Sequence, residues 1–304
     1  MNSSAIHGEC FLPAYIAPTY RCNLKCEYCY STKYASDFPS DLDWPKFIDI
    51  CKSLRWRYNR FCIIGGEPTE WKFINEAILV LKNKNKLVSV FTNGIKPLRA
   101  FPNSLFINAS AFWNESLQST FLKTLEKYKH KSKIVLRFNI GEECTKLDID
   151  GAVSLASRYA DSVSISCLFP AKLQAYRGDA IYELARKMTI RSVKTRISRA
   201  TPLCIFNLEQ MDFLIKMCRL KGQCGLPSNS VYIHPDGKTI QPCPELNMKA
   251  DIRALGNLSP KVFFIKDVES KKRERILFCL SCNFFQRGHC CGGCLAYDLL
   301  PPEG

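Results

Sequence analysis

Short runs of apolar, β-branched residues recur along the first two thirds of the chain, separated by stretches in which apolar residues return every three or four positions. The short runs are Pro13–Tyr20, Phe61–Ile64, Leu87–Phe91, Leu105–Ser110, Ile134–Ile140 and Ser162–Phe169, and they predict strands. The intervening patterns predict helices over Asp43–Asn59, Trp71–Asn83, Glu115–His130 and Leu147–Tyr159. Asp43 stands where a first cap belongs, with Pro45 in the first turn. Six strands alternating with helices make the fold class α/β, built of parallel βαβ units, and chemistry in parallel barrels sits in loops at the carboxyl ends of strands. Near Thr201-Pro202 the alternation stops, and the rest is rich in Cys, Pro and Gly. The expected division is therefore 1–201 and 202–304. Within the second part, Val231–Gly237 reads as a strand entering a tight turn, and Lys238–Ile240 returns as a hairpin that brings Cys224 and Cys243 together. No internal repeat or low-complexity tract interrupts the pattern.

Composition narrows the classes. The 304 residues suffice for one barrel-sized unit and a smaller appendage. A formal charge of +15, from 43 Lys and Arg against 28 Asp and Glu, favours an acidic or polyanionic partner. The densest basic stretch holds Arg186, Lys187, Arg191, Lys194, Arg196 and Arg199; it suits an acidic peptide or a nucleic acid, and equally a solvated face. Seventeen cysteines occur without a secretory signal in the first ten residues, so a reducing, cytoplasmic setting is expected. No apolar stretch reaches the length of a membrane span, so no membrane is expected as a partner.

Three cysteines, Cys22, Cys26 and Cys29, are spaced C-x3-C-x2-C in the loop after the first predicted strand, with Tyr28 beside the last. Three thiolates can hold three irons of a 4Fe-4S cluster and leave the fourth open, whereas a structural zinc site closes every position. Alone, the spacing also suits a zinc knuckle. Thirty-six residues past Cys29, the strand Phe61–Ile64 ends in Gly65-Gly66-Glu67-Pro68. Two glycines let a backbone approach a ligand closely, and Glu67 can accept hydrogen bonds from an ammonium group. Together, C-N-L-K-C-E-Y-C and G-G-E-P at this distance resemble the radical S-adenosylmethionine (SAM) superfamily.

That resemblance implies a partial (β/α)6 barrel of TIM type. It implies a SAM-binding 4Fe-4S cluster on Cys22, Cys26 and Cys29, with Gly65, Gly66, Glu67 and Pro68 receiving the methionine end of SAM. Thr92-Asn93-Gly94 looks like the family's segment reaching the ribose or methionine part, although such a turn also stands on its own. Tyr28 resembles the aromatic position whose backbone meets the adenine.

The last third holds a second constellation: Cys218, Cys224, Cys243, Cys279, Cys282, Cys290, Cys291 and Cys294. Paired C-x2-C elements are also how zinc ribbons are held. The arrangement resembles the SPASM and Twitch extensions of radical SAM enzymes, which carry one or two auxiliary 4Fe-4S clusters. By that resemblance Cys218, Cys224, Cys243 and Cys294 serve one cluster, and Cys279, Cys282 and Cys290 draw in a second. The glycine-to-cysteine interval is one residue longer than the pattern, the gap from Cys282 to Cys290 is wider, and a final SPASM cysteine is missing before Gly304. The second cluster is thus left without a fourth thiolate, takes Cys291, or does not form. Cys218 is also readable as a buried apolar residue on a helix. Cys10, Cys51, Cys62, Cys144, Cys167 and Cys204 are expected to be core thiols.

The family's chemistry is a one-electron reductive cleavage of SAM that yields a 5′-deoxyadenosyl radical, which abstracts hydrogen from a substrate C–H bond; the protein binds and orients. His7, His130, His234 and His289 share no motif and are expected to be structural or exposed. SPASM-type relatives mostly modify peptides, so the resemblance implies a ribosomally made precursor peptide as substrate, with cross-linking, epimerisation and backbone splicing all open. Only 21 residues precede Cys22, so a leader would be read by a separate recognition protein, and electrons would come from a flavodoxin or ferredoxin. The alternatives are a small-molecule epimerase or dehydrogenase, an RNA-modifying enzyme, and a zinc-stabilised binding module.

Overall fold

All six expected strands form, as β1 (Pro13–Ile16), β2 (Arg60–Ile63), β3 (Leu87–Thr92), β4 (Ser104–Asn108), β5 (Lys133–Ile140) and β6 (Ser162–Cys167). They pair in chain order, each parallel to the next. The computed structural model describes residues 13–26, 28–141, 148–168, 175–274 and 279–295. His7, Cys10, Cys144, Leu147 and Phe169 lie outside the described residues.

The four expected helices appear as α1 (Trp44–Leu54), α2 (Ile74–Asn83), α3 (Glu115–Tyr128) and α4 (Ile149–Tyr159). Asp43 does occupy the cap position of α1, with Pro45 in the first turn, but its side chain accepts no capping hydrogen bond and instead pairs with Lys46 at 3.3 Å. A parallel sheet needs crossovers that bury its outer face. On β5 that face is Ile134, Leu136, Phe138 and Ile140, each almost wholly buried. They join Phe121, Leu125 and Tyr128 of α3 and Ala152 and Ala156 of α4 in one continuous core. Burying side chains of this size contributes roughly 1.5–3 kcal/mol each.

The sheet extends beyond the expected six strands at both edges. α5 (Ala175–Ile190) leads into β7 (Thr195–Ile197), parallel to β6. At the opposite edge β8 (Val231–Ile233) lies parallel to β1, and β9 (Thr239–Gln241) and β10 (Ala250–Asp251) continue antiparallel. The order is β10-β9-β8-β1-β2-β3-β4-β5-β6-β7. The expected hairpin exists, and its first strand is built into the barrel sheet. The sheet therefore runs across the composition change at 201/202. Between β7 and β8, α6 (Leu208–Cys218) starts from a capping box of Asn207 and Gln210.

The second face of the sheet is different. Register sets Asn108, Arg137, Ser164 and Arg196 in one row across β4 to β7. Phe91 stacks on Phe106 beside them at 4.4 Å between ring centroids, and Tyr15 leans on Phe91. This polar and aromatic surface faces the concave interior below the strand ends.

Candidate functional site

The loop bearing Cys22, Cys26 and Cys29 grows out of β1. Past the strand, the chain keeps pairing with the G-G-E-P segment: Ile64 N–H donates to Ile16 O at 2.9 Å, Gly66 N–H to Thr19 O at 2.9 Å and Glu67 N–H to Arg21 O at 2.8 Å. A Cβ on Gly65, which has φ +140°, would run into Thr19 O, and one on Gly66 into Arg21 O. The glycine pair therefore lets two backbones lie against each other, which fixes the cysteine loop relative to Glu67. Arg21 ties the start of that loop down by a fork to Asp41, at 3.1 and 2.8 Å, and a bond to Glu70 O at 2.6 Å.

Glu67 is almost wholly buried. Its Oε1 accepts from Thr69 N–H at 3.1 Å, Thr69 Oγ1 at 2.8 Å and Thr92 Oγ1 at 2.8 Å, and its Oε2 accepts from Asn93 N–H at 2.7 Å. Burial pushes the carboxyl upward from the ordinary glutamate range, and these donors pull it back. Pro68 and Thr69 follow in a short 3-10 turn, Pro68–Glu70, which Glu67 caps. Asn93 in turn donates from Nδ2 to Asn23 Oδ1 at 2.7 Å. The three motifs noted separately in the sequence are thus one hydrogen-bonded unit, running cysteine loop, Asn23, Asn93, Glu67 and Thr92.

Cys22 is exposed, and Cys26 and Cys29 are half-buried. The buried ground beneath Cys22 pushes its thiol up to about 11, and charge on Glu67, Cys29 and Cys26 adds to the effect. Burial also raises Cys26, with charge on Cys29 second. Cys29 Sγ lies 2.9 Å from Ser31 Oγ. No three His, Cys, Asp or Glu side chains among the described residues converge on a single-ion position. The donor set is three soft thiols on one loop, within reach of each other's charge but spread wider than one ion allows, and it fits three corners of a 4Fe-4S cluster.

Tyr28 accepts a bond from Asn108 Nδ2 at 3.1 Å, which links the cysteine loop to the end of β4. Tyr30 donates to Gly65 O at 3.4 Å and reaches Tyr232 Oη on β8 at 3.4 Å. Tyr232 contacts Tyr20 Oη at 3.2 Å, and Tyr20 contacts His234 Nδ1 at 2.7 Å. His234 is fully buried, stacks on Phe38 at 4.1 Å, and is held neutral by burial, which lowers its pKa from 6.5 to about 4. It is structural, as expected; His130 and His289 are exposed.

Below the loop, Arg137 lies over the Phe91 ring at 5.3 Å and makes no hydrogen bond or ion pair among the described residues. Burial and the neighbouring Arg199 both depress its pKa, while Tyr30, Glu245 and Tyr28 oppose them. Arg199 itself forks onto Glu245. The basic run from Arg186 to Arg199 is not one face. Arg186 pairs with Glu183 at 3.0 Å, Lys187 with Asp150 at 2.8 Å, and the exposed Arg196 lies over the Phe106 ring at 5.7 Å. Sequence reading did not single out Asn23, Tyr30, Asn108 or Arg137. For Asn108 and Arg137 the available signal was polarity at alternate positions of otherwise apolar strands.

In the last third, Cys294 and Cys224 neighbour Cys243, and Cys224 N–H donates to Cys291 Sγ at 3.0 Å. Cys279 and Cys282 share a turn, with Cys282 N–H donating to Cys279 O at 2.9 Å, and Cys290 N–H reaches Phe284 O at 3.2 Å beyond the short helix Asn283–Gln286. Cys218 stands apart from them. It ends α6 fully buried in the main core, and burial pushes its thiol up to about 11. Cys62 and Cys167 are buried as expected, and Cys51 is half-buried. Cys204, expected in the core, is exposed.

Residues 16–141 match the model of the Radical SAM superfamily. That match takes in both motifs, Cys22 to Cys29 and Gly65 to Pro68, and the strands β2 to β5. A curated relative, the S-adenosylmethionine-dependent nucleotide dehydratase of Thermoplasmatales archaeon (strain ISO4-H5), is 24% identical over 94 residues, 31% of this chain and 33% of that protein. The match thus spans about a third of the relative's length. Streptococcus suis SuiB bound to S-adenosylmethionine superposes with a TM-score of 0.61 at 15% identity, over 95% of this chain and 76% of SuiB. The SuiB complex with the precursor peptide SuiA gives 0.57 at 14% identity, over 76% of this chain and 59% of that one. Histidine-tagged anSMEcpe with bound AdoMet gives 0.59 at 14% identity, over 93% of this chain and 89% of that one. At such identities the likeness is one of fold. Among the described residues no helix is long and apolar enough to cross a membrane.

Proposed function

We propose that the protein is a peptide-modifying radical SAM enzyme whose substrate presents an acidic group to Arg137. The observation that carries the substrate class is the half-buried Arg137 guanidinium, which lies over the Phe91 ring, stands beside Asn108 in the sheet register and has no hydrogen bond or ion pair among the described residues. A partly buried charge without a counter-ion favours an anionic partner, so an anionic group entering the barrel would be bound there. The fold shared with SuiB, which has been seen with a precursor peptide, supports a peptide as bearer of that group.

When bound, the cluster and SAM would supply one-electron cleavage and hydrogen abstraction. Cys22, Cys26 and Cys29 would hold the cluster. Glu67, fixed by Thr69 and Thr92, would set the floor on which Gly65, Gly66, Pro68 and Asn93 orient SAM, with Tyr28 against its adenine. The cysteines of residues 202–304 would hold auxiliary clusters, and that segment is read as a second functional unit after 1–201. A cytoplasmic setting, a flavodoxin or ferredoxin donor and a separate leader-reading protein complete the reading.

The test is anaerobic reconstitution with SAM, reductant and peptides from short neighbouring reading frames, followed by mass spectrometry and analysis of residue stereochemistry. A modified peptide whose KM rises on Arg137→Met, with SAM binding unchanged, is the expected result. Loss of SAM binding in that variant would reassign Arg137 to the carboxylate of SAM. Since the curated relative acts on a nucleotide, a phosphorylated small molecule is the second reading. Rapid turnover of a nucleotide beside an unchanged peptide would establish it.

A further inference from the structure

We propose that Cys204 is the fourth thiolate of a second auxiliary 4Fe-4S cluster, completing the set Cys279, Cys282 and Cys290. The inference rests on the reading that the last third of the chain holds such clusters, and it goes beyond it by supplying a ligand that the sequence pattern lacks.

Cys204 lies in a short 3-10 turn, Leu203–Ile205, between β7 and α6. Two contacts hold that turn against the cysteine-rich loops and a third holds it against α5. A Cβ on Gly293 would stand 2.6 Å from Pro202 Cδ. One on Gly222 would stand 2.9 Å from Leu203 Cγ and 3.1 Å from Cys290 Cα, so Leu203 and Cys290 meet at the same point. Gly178 of α5 admits Ile205 O where a side chain would collide. Gly222 also pairs with Cys290 in an isolated parallel bridge, and its carbonyl accepts from Cys291 N–H at 3.1 Å. The segment just before Cys204 is thereby fixed beside Cys290, while Cys204 stays exposed.

Its surroundings match this placement. Cys290 N–H reaches Phe284 O at 3.2 Å in the short helix that follows Cys282, and Cys282 N–H donates to Cys279 O at 2.9 Å, so the loop carrying Cys279 and Cys282 folds back onto Cys290. Cys218, by contrast, is fully buried in the main core. An exposed thiol on a turn packed beside that loop is placed as a cluster ligand needs, because one cluster takes four thiolates. The Sγ of its alternative, Cys291, accepts from Cys224 N–H at 3.0 Å and lies 3.5 Å from Gly222 O and 3.3 Å from Gly293 O, either of which its one thiol proton can reach.

The test uses the full-length chain with Cys22, Cys26 and Cys29 replaced by Ala, so that only auxiliary iron is counted after anaerobic reconstitution. Two auxiliary clusters correspond to about eight irons and eight sulfides per chain. Adding Cys204→Ala is expected to remove about four irons, or to leave a cluster with a changed EPR spectrum. Cys204→Ser, which keeps an oxygen ligand and the fold, is expected to shift the EPR and Mössbauer parameters of one cluster while Cys62→Ala leaves both unchanged. Unaltered iron content and spectra in both Cys204 variants, with the loss appearing in Cys291→Ala, would overturn the assignment. A background protein that binds no iron would overturn the auxiliary-cluster reading itself.

Discussion

Glu67 is almost wholly buried and accepts four hydrogen bonds, from Thr69, Thr92 and Asn93. Glu67→Gln keeps the volume but turns an amide N–H toward one of those donors. The expected cost is about 1–3 kcal/mol in denaturant unfolding, together with weaker SAM binding to the reconstituted protein. Equal stability would show that the network does not depend on the carboxylate. His234 makes a pH prediction. Its pKa falls from 6.5 to about 4 on folding because burial disfavours the imidazolium. Between those values the unfolded chain binds the extra proton, so stability is complete above pH 6.5 and declines as pH falls toward 4. At about pH 5 the loss relative to about pH 7 is roughly 2 kcal/mol. Chemical denaturation of wild type and His234→Gln at both pH values should show this increment in the first protein and not the second.

At the scale of elements, the sharpest dependence is the seam between the end of β1 and G-G-E-P. Gly66→Ala drives a methyl into Arg21 O, with backbone on both sides of the collision. The chain must separate there, at a cost of about 1–3 kcal/mol, and the cysteine loop moves with it. Lower iron uptake at the SAM site and a lower denaturation midpoint are the expected readings; unchanged values in both would show that the seam is loose. The six central strands were legible because parallel buried strands leave continuous apolar runs in the chain. β7 was not, since Thr195–Ile197 is three residues with Arg196 at its centre. The motifs Cys22 to Cys29 and Gly65 to Pro68 were legible as patterns, but their bond through Asn93 and Asn23 joins side chains from three loops, and no periodicity records such a contact. Cys204 was hidden for the same reason, because its neighbours arrive from the far end of the chain.

For the whole molecule, the question is whether residues 1–201 stand alone. Composition suggested a break at 201/202, yet Ala14, Tyr15 and Ile16 of β1 pair with Val231, Tyr232 and Ile233 of β8. Ala17 N–H donates to Ile233 O at 2.8 Å, Tyr232 packs against Tyr15, Tyr20 and Tyr30, and Leu203, Leu214 and Leu220 belong to the same core as the barrel strands. Removing residues 202–304 would leave β1 as a bare edge strand, with backbone groups unpaired and an aromatic cluster opened directly beneath the cysteine loop. A chain of residues 1–201 is therefore expected to associate or to unfold without a cooperative transition, whereas the full chain unfolds cooperatively. Sedimentation and thermal unfolding of the two proteins side by side check this. A monomeric 1–201 fragment that melts cooperatively and still takes up iron would mean that the shared sheet is a docking surface between two self-sufficient units.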